Sequence, residues 1–490
     1  MFQWKNNLIM NLKKTLKILL IIVGAIALFS LSSFVYVSYK QNKAVEILNK
    51  KYQKNKFTKN EIIADIEYFR EILKRVHPKP IEAFPLNDIS GLLDGIENKR
   101  FHVITRLDFF RNFAPIVSTL GDEHVMAFMP ESYFKNNFSN KQKGFPFEVS
   151  ILNGHIYIRK NLSNINEIVV GAEILEINNI KASDLLNTMK KYFSGTRESQ
   201  NLYYLQNNFQ RALALVYGYD DFTVVLRNPS ENDAKKYQAK GVEVTKYHAK
   251  EFSYKIINQD TILFTYNAFE DPRGEFSSFL KSMFTQAKDE NIKHLIIDLR
   301  NNQGGSSAYG DELLGYLTSN PFLQLTHSDI TISKELKANF IRYIPAFLRW
   351  LPIQYIHPLL KPIWLGKEGE VVSITFDEIV PLRNNLLFSG DIYLLTGPGT
   401  MSSASLFAAT VKKYHIASLV GESAGGYATH YGNVITAHLP NTGIKLWMPT
   451  SINYGNSTGQ IKPDIFLKQS LADLIHSQDT LLNYVTKPIQ

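Results

Sequence analysis

The sequence predicts an α/β fold, and three observations in its second half support the prediction. Short apolar runs bounded by turn residues are typical of buried strands. Runs with an apolar period of 3.6 residues separate them and are typical of helices. The two patterns alternate, which favours a core sheet with largely parallel strands. The strands are predicted at 261–266, 294–299 and 391–395, and the helices at 276–287, 309–317 and 406–411.

The composition is that of an ordinary globular protein, with 44% hydrophobic and 20% charged residues. There is no cysteine, which excludes disulfides, thiolate nucleophiles and cysteine–zinc sites. The formal net charge is +9, but residues 1–56 hold ten lysines and a single acid, so the remainder is formally neutral. Because the positive charge surrounds an apolar segment, it argues against nucleic-acid binding.

That apolar segment, ILLIIVGAIALFSLSSFVYVSY, occupies residues 18–39 and carries no charge. As a helix it would measure about 33 Å, which is enough to cross the hydrocarbon core of a bilayer. It is longer than the apolar part of a signal peptide, and no A-x-A-like cleavage site follows it. We therefore expect residues 1–56 to form a single transmembrane anchor and a basic stalk, with the large part of the chain exported.

Four regions are predicted after the anchor. Residues 57–135 carry amphipathic helical patterns, and residues 144–200 change to short strands around an Asn-Gly turn. Residues 250–470 form the core, which an insert at about 321–390 interrupts, and residues 471–490 form a tail. Within the insert, the aromatic and aliphatic segment 335–365 is predicted to be a helical lid on the core. A substrate-facing cap and a membrane-contacting surface are the alternatives.

Two loops of the core carry residues suited to chemistry. The sequence DLRNNQGG at 298–305 follows a predicted strand, and its paired glycines can turn backbone N–H groups toward a phosphate or an oxyanion. No Walker lysine follows, so nucleotide binding is disfavoured. The sequence TMSSAS at 400–405 opens a predicted helix. A serine there is either an N-cap or the exposed nucleophile of an acyl-transfer enzyme.

These motifs and their order carry a resemblance to a known family. The sequences LGDEHVMAF, GAEILEINNIKASDLL, IIDLRNNQGG, TMSSAS, LVGESAGG and the KPDI ending follow one another along the chain. Together they resemble the C-terminal processing, or tail-specific, serine peptidases. The resemblance implies a crotonase-like α/β core, a PDZ-like module at 144–200 and an N-terminal helical unit. It also implies peptide or protein substrates and no metal or organic cofactor.

The resemblance places the nucleophile at Ser403, with Ser402 and Ser405 as the neighbours ranked next. It implies an oxyanion hole built from the backbone N–H groups of Ala404 and of Gly304 or Gly305. Backbone amides at a helix start and in a glycine nest are fixed donors, as transition-state stabilisation requires.

The base is where this sequence departs from many members of the family. They carry a lysine in the glycine loop after the V-G-E strand, and Tyr427 occupies that position here. A tyrosine of ordinary pKa is a poor base at neutral pH. The tricorn-like branch uses a histidine before the PDZ-like segment, which corresponds to His124 of the Gly-Asp-Glu-His turn. We therefore expect His124 to be the base, with His430 as the alternative.

The acid that orients the imidazole is not assigned by the resemblance. Residues 456–458, where tricorn-like enzymes place a glutamate, contain no acid. Glu422 and Asp122 are the candidates, and a polar Asn or Ser such as Asn456 could orient the imidazole weakly. The predicted protein is a membrane-anchored serine endopeptidase of the bacterial cell envelope, with an extracytoplasmic catalytic part that acts on C-termini. The alternatives are an inactive or catalytically weak peptide-binding relative and a non-peptidase serine hydrolase such as an esterase.

Overall fold

The computed structural model describes residues 54–78, 88–138, 143–218, 220–243, 249–343, 352–356 and 360–487. Within these ranges the chain is an α/β structure with several sheets. The α-helices are α1 (Lys59–Val76), α2 (Ser90–Glu97), α3 (Arg106–Ser118), α4 (Glu131–Phe138), α5 (Ala182–Met189), α6 (Glu198–Asn207), α7 (Phe209–Tyr217), α8 (Phe276–Asp289), α9 (Ser307–Leu317), α10 (Lys334–Tyr343), α11 (Ile353–Ile356), α12 (Leu360–Leu365), α13 (Ser403–Lys413), α14 (Leu471–Ile475) and α15 (Thr480–Val485). The strands are β1 (Lys56–Thr58), β2 (Val103–Thr105), β3 (Met126–Phe128), β4 (Phe147–Leu152), β5 (His155–Asn161), β6 (Glu173–Ile177), β7 (Ile180–Lys181), β8 (Asp221–Arg227), β9 (Lys235–Lys240), β10 (Phe252–Asn258), β11 (Thr261–Tyr266), β12 (His294–Asp298), β13 (Leu325–Thr331), β14 (Val371–Thr375), β15 (Asp391–Thr396), β16 (Ser418–Gly421), β17 (His430–Gly432), β18 (Ile435–His438), β19 (Lys445–Met448), β20 (Ser451–Gly455) and β21 (Ile465–Phe466).

The core sheet has the strand order β10-β11-β12-β15-β16-β21. Strands β10 and β11 are antiparallel, and every later neighbouring pair is parallel. Strands β12 and β15 read as continuous apolar runs because both of their faces are covered. Helices α8, α9 and α13 connect the strands and bury their apolar sides against one face. The alternation of strands and helices in the sequence therefore produces the core.

The N-terminal helical unit is completed by strands from the far end of the chain. Strand β3 pairs antiparallel with β19, in a small sheet of order β18-β19-β3. The apolar faces of α1, α2 and α3 share one hydrophobic cluster with β18 and β19. The buried Asp65 of α1 accepts hydrogen bonds from the backbone and side chains of Asn441 and Thr442, over 2.6–3.1 Å. This unit and the core sheet therefore form one packed body.

The unit of short strands extends beyond residue 200. It is a sheet of order β4-β5-β6-β8-β9, antiparallel throughout, and one isolated bridge joins Gly144 to Val242 outside the strands. Helices α5, α6 and α7 pack on it around a separate hydrophobic cluster. Strand β4 lies at one edge of the sheet, so its outer backbone groups face a neighbouring groove.

The described part of the insert packs on an auxiliary sheet of order β14-β13-β20-β17. Residues 344–351 and 357–359 of the predicted lid lie outside the described residues. Helices α10 and α12 bury Leu336 and Ile363 against β13. Arg75 of α1 pairs with Glu335 of α10 at 2.7 Å, which links the insert to the helical unit.

The predicted membrane helix requires a correction. In the ranges that the structure describes, no helix is both long enough and apolar enough to cross a bilayer. The segment to which the helix was assigned, residues 18–39, lies outside those ranges. The fold class is accordingly an α/β fold with several sheets. The single-pass, membrane-anchored localisation is not supported by the described part of the chain and is not retained.

Candidate active site

Two loops of the core meet at one edge of the central sheet. Strands β12 and β15 are parallel neighbours, with Asp298 opposite Leu395, so the loops that follow them lie side by side. Two hydrogen bonds join these loops. The Thr400 hydroxyl donates to Leu299 O at 2.8 Å, and Met401 N donates to Asn302 O at 3.0 Å. This edge is where ligands bind in open α/β sheets.

The paired glycines of the first loop have backbone conformations that favour glycine. Gly304 has φ of 98° and Gly305 has φ of 137°. A Cβ at Gly305 would overlap Phe269 O, and one at Gly304 would lie 2.7 Å from Ser402 Cβ. Only a glycine pair allows this loop to pass between Phe269 and the segment of residues 400–405, which is called the serine loop below.

The orientation of the Gly305 N–H group follows from its neighbours. Phe269 N donates to Gly304 O at 2.9 Å, and Ser306 N donates to Phe269 O at 2.9 Å. Because the N–H and C=O groups of a trans peptide point in opposite directions, Gly305 N–H and Gly305 O both point away from Phe269. The Ser403 hydroxyl donates to Gly305 O at 2.7 Å, so this is the side of the loop that faces Ser403.

The other predicted oxyanion donors are occupied by internal hydrogen bonds. Gly304 N donates to Asn302 Oδ1 at 2.9 Å, and Ala404 N donates to Met401 O at 3.0 Å. Of the three predicted N–H donors, Gly305 is therefore the one whose orientation suits a ligand beside Ser403.

Ser403 is the first residue of α13 and is 8% exposed. Ser402 precedes it with φ of 52°, an uncommon conformation for a residue with a side chain. This conformation turns the chain sharply from the loop into the helix. Ser405 is fully buried, and its hydroxyl donates to Thr400 O at 2.8 Å. Of the three serines, Ser403 has its hydroxyl on the GG loop, defined as residues 301–305.

The turn of residues 121–124 packs against the serine loop. Gly426 lies between them: a Cβ atom added to this glycine would lie 3.1 Å from Glu123 Oε1 and 3.1 Å from Ser402 N. His124 follows in this turn, and its ring stacks on that of His430 with 5.8 Å between centroids. Two histidines widely separated in sequence thus lie together, beside the loop that carries Ser403.

Two carboxylates face the His124 ring. His124 Nδ1 lies 3.6 Å from Asp122 Oδ1 and 3.9 Å from Glu123 Oε1. This nitrogen is buried and has no hydrogen-bond partner in the described part of the chain. Asp122 Oδ1 also accepts from the backbone N of His124 at 2.8 Å. A small movement of the ring would allow Asp122 to accept a hydrogen bond from Nδ1.

The environment of this cluster shifts the pKa values of the two histidines in opposite directions. Burial would lower the pKa of His124, but the Asp122 and Glu123 carboxylates outweigh it and raise that pKa above its ordinary value. Burial and the neighbouring His124 lower the pKa of His430 to about 4. Burial would raise the pKa of Asp122, but His124 and His77 hold it well below its usual range. Asp122 is therefore ionised at neutral pH.

The remaining predicted residues lie elsewhere. Glu422 pairs with Lys468 at 3.3 Å. Asn456 donates to Leu323 O and to Thr410 Oγ1, at 3.0 and 2.9 Å. Tyr427, at the position of the family lysine, lies under the guanidinium of Arg197 at 5.3 Å. Asp122 is thus the candidate acid that lies at the imidazole.

Sequence reasoning missed three side chains of the cluster. His77 donates to Asp122, Gln200 donates to Glu123, and Arg197 donates to the backbone carbonyls of Ala424 and Gly425. His77 was visible only as part of the His-Pro sequence that ends a helix. The other two precede or begin α6 in a region without a motif, so no sequence signal marked them.

A groove runs along the edge strand β4 toward the GG loop. Two cavities of about 650 and 880 Å³ lie along it and share Arg159, Tyr203, Gln206 and Asn301 in their walls. Gln206 Oε1 accepts the backbone N–H of Ile151 at 2.7 Å, so this backbone donor of β4 is directed at the groove. The groove has the form expected for an extended peptide that adds to a sheet edge.

Comparisons with known proteins agree with this geometry. Residues 261–465 match the model of peptidase family S41. Mature CPAF in complex with lactacystin superposes with a TM-score of 0.63 at 16% identity, over 88% of this chain and 97% of that chain. Mature CPAF gives 0.62 at 16% identity, over 88% and 96%. The photosystem II D1 C-terminal processing protease gives 0.41 at 13% identity, over 83% and 92%. No curated protein matches the chain.

The family match and the shared fold define the class of the protein as a serine peptidase that acts on peptides or proteins. The match of residues 261–465 to family S41 confirms the recognition of the tail-specific family from its motifs.

The Gly305→Ala substitution tests the geometry of the GG loop. The new methyl group would overlap Phe269 O and would force an unfavourable φ, so we expect the Gly305 N–H to be displaced. Loss of one oxyanion donor lowers kcat by roughly 10²–10³-fold. Peptide hydrolysis and denaturant unfolding would be measured on the same preparations.

Gly315→Ala is the matched control. A Cβ at Gly315, in α9, would have no atom within 4 Å. We expect this variant to keep its activity and to gain roughly 0.5–1 kcal/mol of stability from helix propensity. Full activity of the Gly305→Ala variant would contradict the role of this loop.

Proposed function

We propose that the chain hydrolyses peptide bonds by acyl transfer, with Ser403 as nucleophile, His124 as general base, Asp122 as orienting acid and Gly305 N–H as an oxyanion donor. One observation carries the proposal: the Ser403 hydroxyl lies on the GG loop, 2.7 Å from Gly305 O, while the turn with His124 packs on the same serine loop through Gly426. The family match supports the reaction class.

In the first step the Ser403 hydroxyl leaves Gly305 O by rotation about its Cα–Cβ bond and donates to His124 Nε2. Its oxygen then attacks the substrate carbonyl carbon while the imidazole takes the proton. The carbonyl oxygen becomes negative and accepts a hydrogen bond from Gly305 N–H. The imidazolium passes its proton to the departing amine, and a water molecule hydrolyses the acyl-enzyme by the same sequence.

Asp122 determines which nitrogen of His124 acts as the base. Its carboxylate faces Nδ1, so it favours the tautomer with the proton on Nδ1 and leaves Nε2 free to accept the serine proton. Its negative charge also stabilises the imidazolium that forms. The use of a histidine in place of the missing lysine corresponds to the tricorn-like branch of the resemblance.

The groove along β4 is the proposed binding site for the C-terminal part of the substrate. A peptide added to the edge of β4 would run toward the GG loop, because Asn301 lines both cavities. Arg159 is the cation common to both cavities and pairs with Glu148 at 3.3 Å. A terminal carboxylate could replace Glu148 as its partner.

Labelling with a serine-directed phosphonate tests the nucleophile. We expect one covalent adduct on the unsubstituted chain and none on Ser403→Ala, because the other serines lack the base. Mass spectrometry of intact and digested protein would locate the adduct. Ser402→Ala is the matched control and should still be labelled. An adduct retained by Ser403→Ala and lost from Ser402→Ala would contradict the assignment.

The same experiment separates the alternatives. A chain that takes no label but binds peptides would be an inactive binding relative. A labelled chain that hydrolyses simple esters and leaves a panel of peptides intact would be an esterase.

The pH dependence of kcat/KM tests the base. His124 accepts a proton only when it is neutral, and its pKa is raised, so activity should increase with pH through an acid limb above about 6.5. If His430 were the base, the limb would lie near its lowered pKa of about 4. Asp122→Asn should move the limb to lower pH and lower kcat by roughly 10²–10⁴-fold. A limb near 4 in the unsubstituted chain would exclude His124.

Paired peptides with a free or an amidated C-terminus test the groove. We expect a lower KM for the free acid, and we expect Arg159→Gln to remove this preference by raising KM about threefold to thirtyfold. Lys240→Gln, on strand β9 at the opposite edge of the sheet, is the control for loss of one positive charge. Equal KM values for the two peptides would show that the terminal carboxylate is not recognised.

A further inference from the structure

A buried histidine lies behind the proposed acid. His77 follows the last residue of α1 and is 5% exposed. Its Nε2 lies 2.9 Å from Asp122 Oδ2, and its Nδ1 lies 2.7 Å from Pro78 O. Its ring packs edge-on against Tyr431, with 4.7 Å between centroids. Each polar atom of the ring therefore has a partner.

The two partners of His77 are both acceptors. A backbone carbonyl can only accept, and the Asp122 carboxylate is ionised because the pKa of its acid is held low. Each ring nitrogen therefore faces an acceptor, an arrangement that an imidazolium satisfies with its two N–H donors. A positive charge on this ring would compensate that of Asp122 in a site where both side chains are at most 3% exposed.

The two oxygens of Asp122 have different partners. Oδ1 accepts from the backbone N of His124 at 2.8 Å and faces His124 Nδ1 at 3.6 Å. Oδ2 accepts from His77. With both oxygens held, the carboxylate cannot rotate about its Cβ–Cγ bond, and Oδ1 stays directed at the imidazole.

We propose that His77 is a positioning residue for the peptidase reaction, which acts through Asp122 to set the orientation and charge of the base His124. This inference rests on the proposed function and adds a fourth side chain to it. His77 does not touch the substrate. It makes the acid a fixed, partly neutralised partner of the base.

Other ionisable groups surround this chain of contacts and stay in place when His77 is changed. Glu123 lies in the same turn as His124. Tyr204 and Arg197, at α6, interact with Glu123, and Tyr204 also interacts with Asp122. His430 and Tyr431 face the cluster from β17. A shift in the pH profile after substitution of His77 alone is therefore due to the loss of its charge.

Two variants of the full chain test the inference. His77→Ala removes the donor and frees Asp122, so kcat should fall by about tenfold or more, within the roughly 10²–10⁴-fold that a general base contributes, while KM changes less than about twofold. His77→Gln keeps a neutral N–H donor toward Asp122 and should recover much of kcat. Because the positive charge is gone, its acid limb should move to higher pH. The measurements are pH profiles of peptide hydrolysis and of phosphonate labelling.

Controls separate positioning from packing. Val76→Ala removes a fully buried neighbour of His77 without changing a charge, so it should lower thermal stability and leave the acid limb unchanged. In an Asp122→Asn background, His77→Gln should have little further effect on the limb. Thermal unfolding of every variant shows whether a loss of activity follows from loss of the fold.

The experiments distinguish an incorrect proposed function from an incorrect role for His77. If the unsubstituted chain takes no label, the proposed function is wrong and the role of His77 falls with it. If it is labelled, and both His77 variants keep its kcat and acid limb, only the inference on His77 is overturned. A limb that moves equally in Val76→Ala would also overturn it.

Discussion

The pairing of β3 with β19 is the constraint on which the candidate site depends. The proposed base lies about 280 residues before the proposed nucleophile, and strand β3 begins two residues after His124. Its register with Lys445–Trp447 fixes where that turn lies relative to the core. The hydrogen bonds from Asn441 and Thr442 to Asp65 hold α1 on the same loop region. The N-terminal unit is therefore part of the proposed catalytic fold, because without it the core would have the proposed nucleophile and not the proposed base.

Buried ionisable side chains and uncommon backbone conformations, both of which are energetically unfavourable, lie together at the candidate site. Asp122, Glu123, His77 and His430 are all buried, and a buried charge is tolerated only when it is paired and hydrogen-bonded. Asp122 meets this condition through His77 and the backbone of His124. Ser402 and the two glycines add backbone conformations that are uncommon or restricted to glycine. Such a cluster of buried ionisable groups beside strained backbone indicates that function rather than stability determines its composition.

The sequence made the core predictable, because strands β11, β12 and β15 are long apolar runs and the GG and serine loops have distinct compositions. It was less informative where the partner of a residue lies far along the chain. His77 read as the end of a helix, since its partner Asp122 is 45 residues away. Strand β9, KKYQAK, is mostly exposed and charged, so the extension of the β unit to Val242 was missed. Gly304 and Ala404 were predicted as donors from position alone, and only the backbone geometry shows that their N–H groups are already used.

Many members of the tail-specific family carry a lysine in the glycine loop that here ends in Tyr427. In this chain that loop has no space for a lysine that could act as the base. Arg197 donates to Ala424 O and Gly425 O and covers Tyr427, so a cation already occupies the space beside the glycine loop. A second cation there would meet electrostatic repulsion, and a tyrosine under a guanidinium is held as a packing surface. The base must then approach the serine from another direction. The turn of residues 121–124 offers that direction, because Gly426 leaves no side chain between Glu123 and Ser402. The tyrosine at the lysine position, the arginine over it and the histidine on the N-terminal unit thus all agree with the proposed activation of Ser403 by His124.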